Sequence, residues 1–297
     1  MIRTIIRFIA VALPAATMSW QSASADELRF STGIDFASGD FGAPTDTDIL
    51  SAPFRVAFSA GDFELSASGS FVSVTGTGDI IPGDVGPIIT FRCARLREKR
   101  PDLFDRFCRD RLRDLLDQPQ ERTTNSGIGD AVLGVTWSLP AAVTGNWLVD
   151  LGARVKLPTA SANQGLGTGE TDGSFSLDIA RSVGAWTLYA GAGYRILGDP
   201  TIDGPGGAPV TIDLMNGATA SAGLLYLFRD GSSLSLSYDY LARTVEGSSA
   251  AQEVTLGFGM PLGDSPWRWT AYGVAGLSRA SPNFAVGMSI SYGFDIL

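Results

Sequence analysis

The sequence predicts an all-β protein, a transmembrane antiparallel up-and-down β-barrel of about 12 strands. Three observations lead to this prediction. Segments of about ten residues alternate between apolar and polar side chains, Trp and Tyr bound the apolar faces, and the connections alternate between short and long. Segments of this length suit tilted strands that cross a membrane, where aromatic girdles and short periplasmic turns are typical.

Residues 127–159 show the alternation most clearly, as two strands joined by a short turn. Side chains of a strand point alternately to its two faces, so every second residue shares a face. The apolar face comprises Ala131, Leu133, Val135, Trp137 and Leu139 in the first arm, and Trp147, Val149, Leu151, Ala153, Val155 and Leu157 in the second. The opposite face of the second arm carries Asp150, Gly152, Arg154 and Lys156. This hairpin therefore has one apolar side and one charged side.

The same alternation recurs along most of the chain. Short turns are predicted at 60–62, 140–145, 184–185, 229–232 and 263–266, and the connections between them are mostly longer. An even number of strands places both termini in the periplasm. The first predicted strand starts almost directly after residue 25, which leaves no room for an N-terminal plug.

Residues 1–25 are predicted to be a secretory signal peptide, so the barrel is assigned to residues 26–297. Arg3 and Arg7 precede a short apolar stretch, and Ala23-Ser24-Ala25 suits signal cleavage. A retained membrane anchor is the alternative, disfavoured because the apolar segment is short and no stop-transfer charges follow it. The predicted location is the bacterial outer membrane, with its lipid as a partner. The sequence leaves the oligomeric state open.

The composition excludes several other classes of protein. After its N-terminus the 297-residue chain, 44% hydrophobic, has no apolar run that approaches the roughly 20 residues of a membrane helix. The formal net charge is −9, and no long basic patch is present, which argues against binding to nucleic acid.

A long insertion at residues 75–126 interrupts the strand pattern. Residues 101–118 are predicted to form a short helix with one apolar stripe and mixed charges around it. Cys93 and Cys108 are predicted to form a disulfide, because an exported chain enters an oxidising compartment. Two unpaired thiols are the alternative, and a metal site is disfavoured because the chain contains no histidine. The helix either rests on the barrel rim or folds into the pore as a gate.

A secreted soluble β-sandwich would also show alternating strands. The polar faces, however, carry more charges and glycines than display to solvent requires, and Trp and Tyr lie at the strand ends. Aromatic girdles mark bilayer interfaces, and a sheet in lipid must close to satisfy its backbone hydrogen bonds. The membrane barrel is therefore favoured over the soluble fold.

The chemistry of the chain argues against an enzyme. Without histidine it lacks the imidazole that Ser-His or Asp-His hydrolases use. A Ser–Lys pair at Lys156, the only lysine on a predicted strand, remains a formal alternative. The glycine-rich residues 165–169 are followed by neither a helix nor a Lys-Ser/Thr pair, so they are not a phosphate loop. No cofactor and no metal are expected.

The predicted functional site is the lining of the pore. With the apolar face toward lipid, the residues predicted to face the lumen are Arg29, Asp35, Arg55, Glu64, Asp130, Asp150, Arg154, Lys156, Asp178, Arg195, Asp239, Glu253 and Arg268. Asp150, Arg154 and Lys156 share one strand face, near Asp178, and form the predicted constriction. Arg195, Asp239 and Glu253 complete the predicted pore-lining set. These charges either pair across strands and stiffen the wall, or set a transverse field that selects solutes.

Three motifs carry a resemblance to a known family. They are Gly127-Ile128-Gly129-Asp130, Val155-Lys156-Leu157-Pro158-Thr159 and Gly165-Leu166-Gly167-Thr168-Gly169. The sequence resembles the outer-membrane family of transporters named for the meta-pathway of phenol degradation. The resemblance implies a β-barrel channel or transporter, with aromatic compounds as cargo. The insertion with its cysteines and the terminal Leu297, in place of a terminal Phe, depart from the pattern.

The expected function is passive uptake of small solutes, aromatic or otherwise hydrophobic, across the outer membrane. The alternative is a non-conducting surface barrel that acts as a structural or binding protein through its long loops. Conductance measurements separate the two, because a plugged barrel shows no discrete openings.

Overall fold

The computed structural model describes residues 26–43, 45–77, 122–203 and 209–296, together with four short strands beyond them, at 7–8, 11–12, 80–81 and 88–89. The barrel strands are β1 (Glu27–Gly39), β2 (Thr47–Ala60), β3 (Phe63–Gly76), β4 in two segments (Thr123–Ile128 and Ala131–Ser138), β5 (Leu148–Leu157), β6 (Asp172–Val183), β7 (Trp186–Ile196), β8 (Gly217–Leu227), β9 (Ser233–Leu241), β10 (Ala251–Pro261), β11 (Trp267–Gly276) and β12 (Phe284–Asp295). The predicted helix at 101–118 and the two cysteines, Cys93 and Cys108, lie outside the described residues.

The strands form one closed antiparallel barrel in chain order. Each strand pairs with its neighbours in sequence, and β12 pairs with β1 along its full length, from Phe284 opposite Ser38 to Asp295 opposite Glu27. Closure leaves neither β1 nor β12 as an unpaired edge. A barrel in a bilayer needs such closure, because lipid offers no hydrogen-bond partners to an exposed edge. The prediction of an all-β barrel with about 12 strands is confirmed.

The outer surface of the barrel is apolar, as the alternation predicts. Large aliphatic and aromatic side chains at outward positions are exposed, among them Leu65 (55%), Leu188 (59%) and Phe175 (60%). On a protein in water so much exposed apolar surface would cause association, whereas lipid solvates it. Most inward positions of the same strands carry Ser, Thr, Gly or charged residues.

The tryptophans of the described strands and turns all lie at one end of this surface. Trp137, Trp147, Trp186, Trp267 and Trp269 all lie beside the short turns, where ring pairs such as Trp186–Tyr226 (centroids 4.8 Å apart) and Trp267–Tyr292 (4.7 Å) join neighbouring strands. Such amphipathic rings mark the level of the lipid headgroups.

The connections alternate in length. Short turns join β2–β3, β6–β7, β8–β9 and β10–β11, and the β4–β5 turn contains one turn of α-helix, Ala141–Thr144. Gly184, with φ of 63°, occupies the first position of the two-residue β6–β7 turn, where an L-residue with a side chain would be strained. Longer loops lie at the other end, and the β5–β6 loop carries the 3₁₀ turn Ala162–Gln164.

Both strands that flank the long insertion extend into the predicted 75–126 segment. β3 continues to Gly76, and β4 begins at Thr123. In the part of the chain that the structure describes, no helix has the length and apolarity needed to cross a membrane.

A β-bulge divides β4 into its two segments. Phe71 pairs with Ile128, whereas Ser68, three residues earlier, pairs with Val132, four residues later, so β4 carries one extra residue opposite β3. The extra residue reverses the phase of the alternation. Asp130 thereby keeps the inward phase of Val132 and Gly134, although Ile128, two residues earlier, points outward.

Candidate functional site: the barrel lumen

The inner wall of the barrel carries the charged residues predicted from the sequence. Each of the predicted pore-lining residues lies at an inward position of its strand: Asp150, Arg154 and Lys156 on β5, Asp178 on β6, Arg195 on β7, Asp239 on β9 and Glu253 on β10. Their contact with a passing solute remains a prediction.

A cavity in the wall joins three of the four residues of the predicted constriction. Asp150, Arg154 and Asp178 line it together with Thr136, Ser176 and Tyr189. Asp150 and Asp178 are direct cross-strand partners, so their carboxylates are neighbours on the inner face of the barrel. Arg154 lies on the same face of β5, four residues after Asp150. This cluster can offer a solute both hydrogen-bond acceptors and donors.

Lys156, the fourth residue of the predicted constriction, belongs to a separate buried cluster near the external end. Its ammonium lies 2.6 Å from Asp172 Oδ2 and 3.2 Å from Asp130 Oδ2, and it donates to Thr168 Oγ1 over 2.7 Å. Only 3% of the lysine side chain is exposed. We call Lys156, Asp130, Asp172 and Thr168 the Lys156 cluster.

The carboxylates of the Lys156 cluster hold the backbone of two external loops. Asp130 Oδ1 accepts the N–H of Ala160 over 2.9 Å, and Asp172 Oδ1 accepts the N–H of Gly198 over 2.9 Å. The first of these bonds fixes the β5–β6 loop, and the second fixes the β7–β8 loop. Lys156 therefore neutralises two carboxylates whose remaining oxygens position the external mouth.

An apolar cluster packs beside these bonds and seals the same side of the mouth. The β1–β2 loop contributes Phe41, which is fully buried, and the β5–β6 loop contributes Ala160 and Leu166. These residues pack on Ile49 of β2 and on Val72 and Val74 of β3, at inward positions above the polar wall. Both loops thus fold over the opening instead of standing away from it.

The remaining charges of the wall lie in ion pairs and hydrogen bonds. Arg55 on β2 pairs with Glu64 on β3 over 2.7 Å, and Arg195 donates to the carbonyl of Ala242 over 3.1 Å. Asp239 and Glu253 are cross-strand partners on β9 and β10. Among the residues that the structure describes, no group of three or more His, Cys, Asp or Glu could hold a metal ion.

Sequence reasoning missed two partners of Lys156. The register that places Asp150 opposite Asp178 also places Lys156 opposite Asp172, so counting back along the hairpin would have found this ion pair. The sequence pattern did not indicate Thr168 as a partner of Lys156, because the position of Thr168 depends on how the β5–β6 loop folds.

A closed barrel with a lipid-facing apolar surface, a periplasmic aromatic belt and a charged lumen defines a bacterial outer-membrane β-barrel. The family model described as "Putative MetA-pathway of phenol degradation" matches residues 38–294. The chain belongs to this family.

Two solved structures resemble the chain, and the first of them supports the fold. An outer membrane channel from Pseudomonas putida F1 superimposes with a TM-score of 0.59, at 12% identity, over 96% of this chain and 100% of that one. The CymD monoaromatic hydrocarbon channel gives a TM-score of 0.46, at 11% identity, over 93% of this chain and 90% of that one. A comparison with curated protein sequences finds no match.

Proposed function

We propose that the protein is an outer-membrane channel through which small uncharged solutes, aromatic compounds above all, cross passively. The observation that carries the proposal is the wall itself, a closed barrel that is apolar outside and lined inside by charged and hydroxyl side chains. The family's description, which refers to phenol degradation, supports an aromatic cargo.

The balance of inward charges favours uncharged over anionic cargo. Among the described strands and the bulge, ten carboxylates and six cations face inward: Glu27, Asp35, Glu64, Asp130, Asp150, Asp172, Asp178, Asp239, Glu253 and Asp295, against Arg29, Arg55, Arg154, Lys156, Arg195 and Arg268. Ion pairing removes one charge of each sign, so pairing within the wall leaves the acidic excess in place. An aromatic carboxylate is repelled by this excess, whereas a phenol, with a pKa of about 10, enters neutral.

Reconstitution tests the proposal directly. The purified protein in planar bilayers is expected to show discrete openings, and loaded liposomes are expected to take up phenol faster than benzoate. A barrel that shows no openings in any buffer would instead be a surface protein that acts through its loops. Uptake of benzoate at the rate of phenol would contradict the selectivity.

Removal of two acidic charges from the wall is expected to change ion selectivity. The double variant Asp150→Asn/Asp178→Asn should lower the ratio of cation to anion permeability at least fivefold, because each charge on a narrow pore contributes on the order of 1 kcal/mol to the energy of a passing ion. Reversal potentials in a salt gradient measure the ratio. Asp264→Asn, the same change on an exposed turn between β10 and β11, is the control and should leave the ratio unaltered. A double variant that matches the wild type would show that the cavity lies off the conduction path.

The disulfide between Cys93 and Cys108, inside a helical external loop, and the signal peptide at residues 1–25 are further parts of the proposal. The mature protein is expected to begin near residue 26 and to resist alkylation until it is reduced. Intact mass spectrometry with and without reductant measures both properties. Two alkylated thiols in unreduced protein would contradict the disulfide.

A further inference from the structure

One cation interrupts the apolar outer surface of the barrel. Arg181 lies at an outward position of β6, between the exposed side chains of Ile179 and Val183. Every other Arg or Lys within the barrel strands faces the lumen. An arginine that faces hydrocarbon near the bilayer midplane destabilises a barrel by about 2–4 kcal/mol, and the penalty nearly vanishes at the interface. The cost of Arg181 to the stability of the barrel therefore depends on its depth in the bilayer.

Arg181 lies at the level of the periplasmic headgroups. It is three residues before Gly184 of the β6–β7 turn, which corresponds to roughly 10 Å along the strand. Trp147 and Trp186 flank it at the same end of the barrel. Its guanidinium carbon lies 5.3 Å from the centre of the Trp147 ring, so the indole holds the side chain against the wall.

Among the residues that the structure describes, the guanidinium has no carboxylate partner. Its contact within the described ranges is the cation–π interaction with the Trp147 ring. A guanidinium in a cation–π contact retains N–H groups in the fork geometry that matches phosphate oxygens. The periplasmic leaflet of an outer membrane consists of phospholipid, which places a phosphate at this depth.

We propose that Arg181, held by Trp147, forms a binding site for the phosphate of a periplasmic-leaflet phospholipid. The indole orients the guanidinium, the guanidinium contacts the phosphate, and the apolar neighbours Ile179 and Val183 contact the acyl chains. The inference is independent of what the pore conducts.

Native mass spectrometry of the barrel in nonionic detergent tests the site. Phosphatidylglycerol is titrated into the wild type and into Arg181→Gln, with diacylglycerol of the same acyl chains as the phosphate-free lipid. One cation at a membrane surface is worth about fivefold in affinity, so the variant is expected to bind the tightest phosphatidylglycerol about fivefold more weakly. Diacylglycerol is expected to bind both proteins equally.

Two controls keep the result interpretable. Arg229→Gln removes an exposed cation from the neighbouring β8–β9 turn and should retain wild-type lipid binding. Thermal unfolding of each variant without lipid shows whether the barrel is intact. Equal phosphatidylglycerol affinity in wild type and Arg181→Gln would overturn the proposal, and so would an equal loss in Arg229→Gln. Displacement of the lipid by millimolar inorganic phosphate would reassign the site to a free anion.

Discussion

Replacement of Lys156 by methionine is expected to destabilise the barrel by about 3–5 kcal/mol, since it leaves buried carboxylates without their cation. Asp130 and Asp172 are each less than a tenth exposed, and Lys156 is the cation that contacts both. Methionine has nearly the length of the lysine stem, so the loss arises from charge and not from a cavity. Urea unfolding in detergent, followed by tryptophan fluorescence, measures the change.

The same substitution is expected to open the external mouth. Without Lys156, water must enter to solvate the carboxylates of Asp130 and Asp172. The hydrogen bonds that these carboxylates accept from Ala160 and Gly198, and that hold the two loops, are then expected to weaken. Single-channel conductance should therefore rise. A variant with the unfolding free energy and the conductance of the wild type would show that the loops keep their position without the Lys156 cluster.

Two further variants separate the role of the Lys156 cluster from a general effect of charge. Arg154→Met removes a cation from the next inward position of β5, which is only partly buried, and is expected to destabilise the barrel much less. The triple variant Lys156→Met/Asp130→Asn/Asp172→Asn should recover most of the stability, because asparagine still accepts the loop N–H groups but carries no charge. Failure of this rescue would locate the effect in lysine packing.

The alternation of the sequence was sufficient to predict the barrel because it is a local property. A strand between lipid and water must place apolar and polar residues on opposite faces, so residues such as Leu151 and Asp150 report their environment without knowledge of any partner. The twelve strands and the inward position of each predicted lumen residue follow from this rule alone.

The first segment of β4 was not predicted from the sequence, because its two faces do not differ in polarity. Its outward residues include Thr124 and Ser126, whose hydroxyls pair with those of Thr75 and Ser73 on β3. These hydroxyls lie on the extension of β3 and β4 beyond the end of β5, where no apolar face is required. A strand without contrasting faces leaves no periodic signal, and the bulge at Asp130 hid the continuity further.

The Lys156 cluster shows where strand periodicity stops being informative. Periodicity placed Lys156 inside but grouped it with Asp150 and Asp178, its neighbours along the hairpin. The structure instead turns its ammonium toward Asp130, at the bulge of β4, and toward Thr168 on a loop. Bulges and loop conformations depend on tertiary packing, and the sequence pattern does not encode either one locally.

Adjacent residues on β6 give the sharpest test of which face meets lipid. Leu177 points outward near the middle of the strand and is 44% exposed, whereas Ser176 points inward and lines the cavity with Asp150 and Asp178. Leu177→Arg is expected to destabilise the barrel by about 2–4 kcal/mol, since it places a guanidinium in hydrocarbon near the midplane. Ser176→Arg places the same group among carboxylates and water and is expected to change stability by less than about 1 kcal/mol.

The two substitutions are expected to affect conductance in the opposite order, with the larger change in Ser176→Arg. Ser176→Arg fills part of the lumen and adds a positive charge there, so it should lower the conductance and reduce cation preference. The Leu177→Arg protein that does fold should conduct as the wild type does, because its new side chain lies outside the pore. Unfolding in lipid vesicles and single-channel recording of the same two preparations supply both readouts. If Ser176→Arg were the destabilised variant and Leu177→Arg the blocked one, the assignment of the two faces would be reversed, and with it the path proposed for the solute.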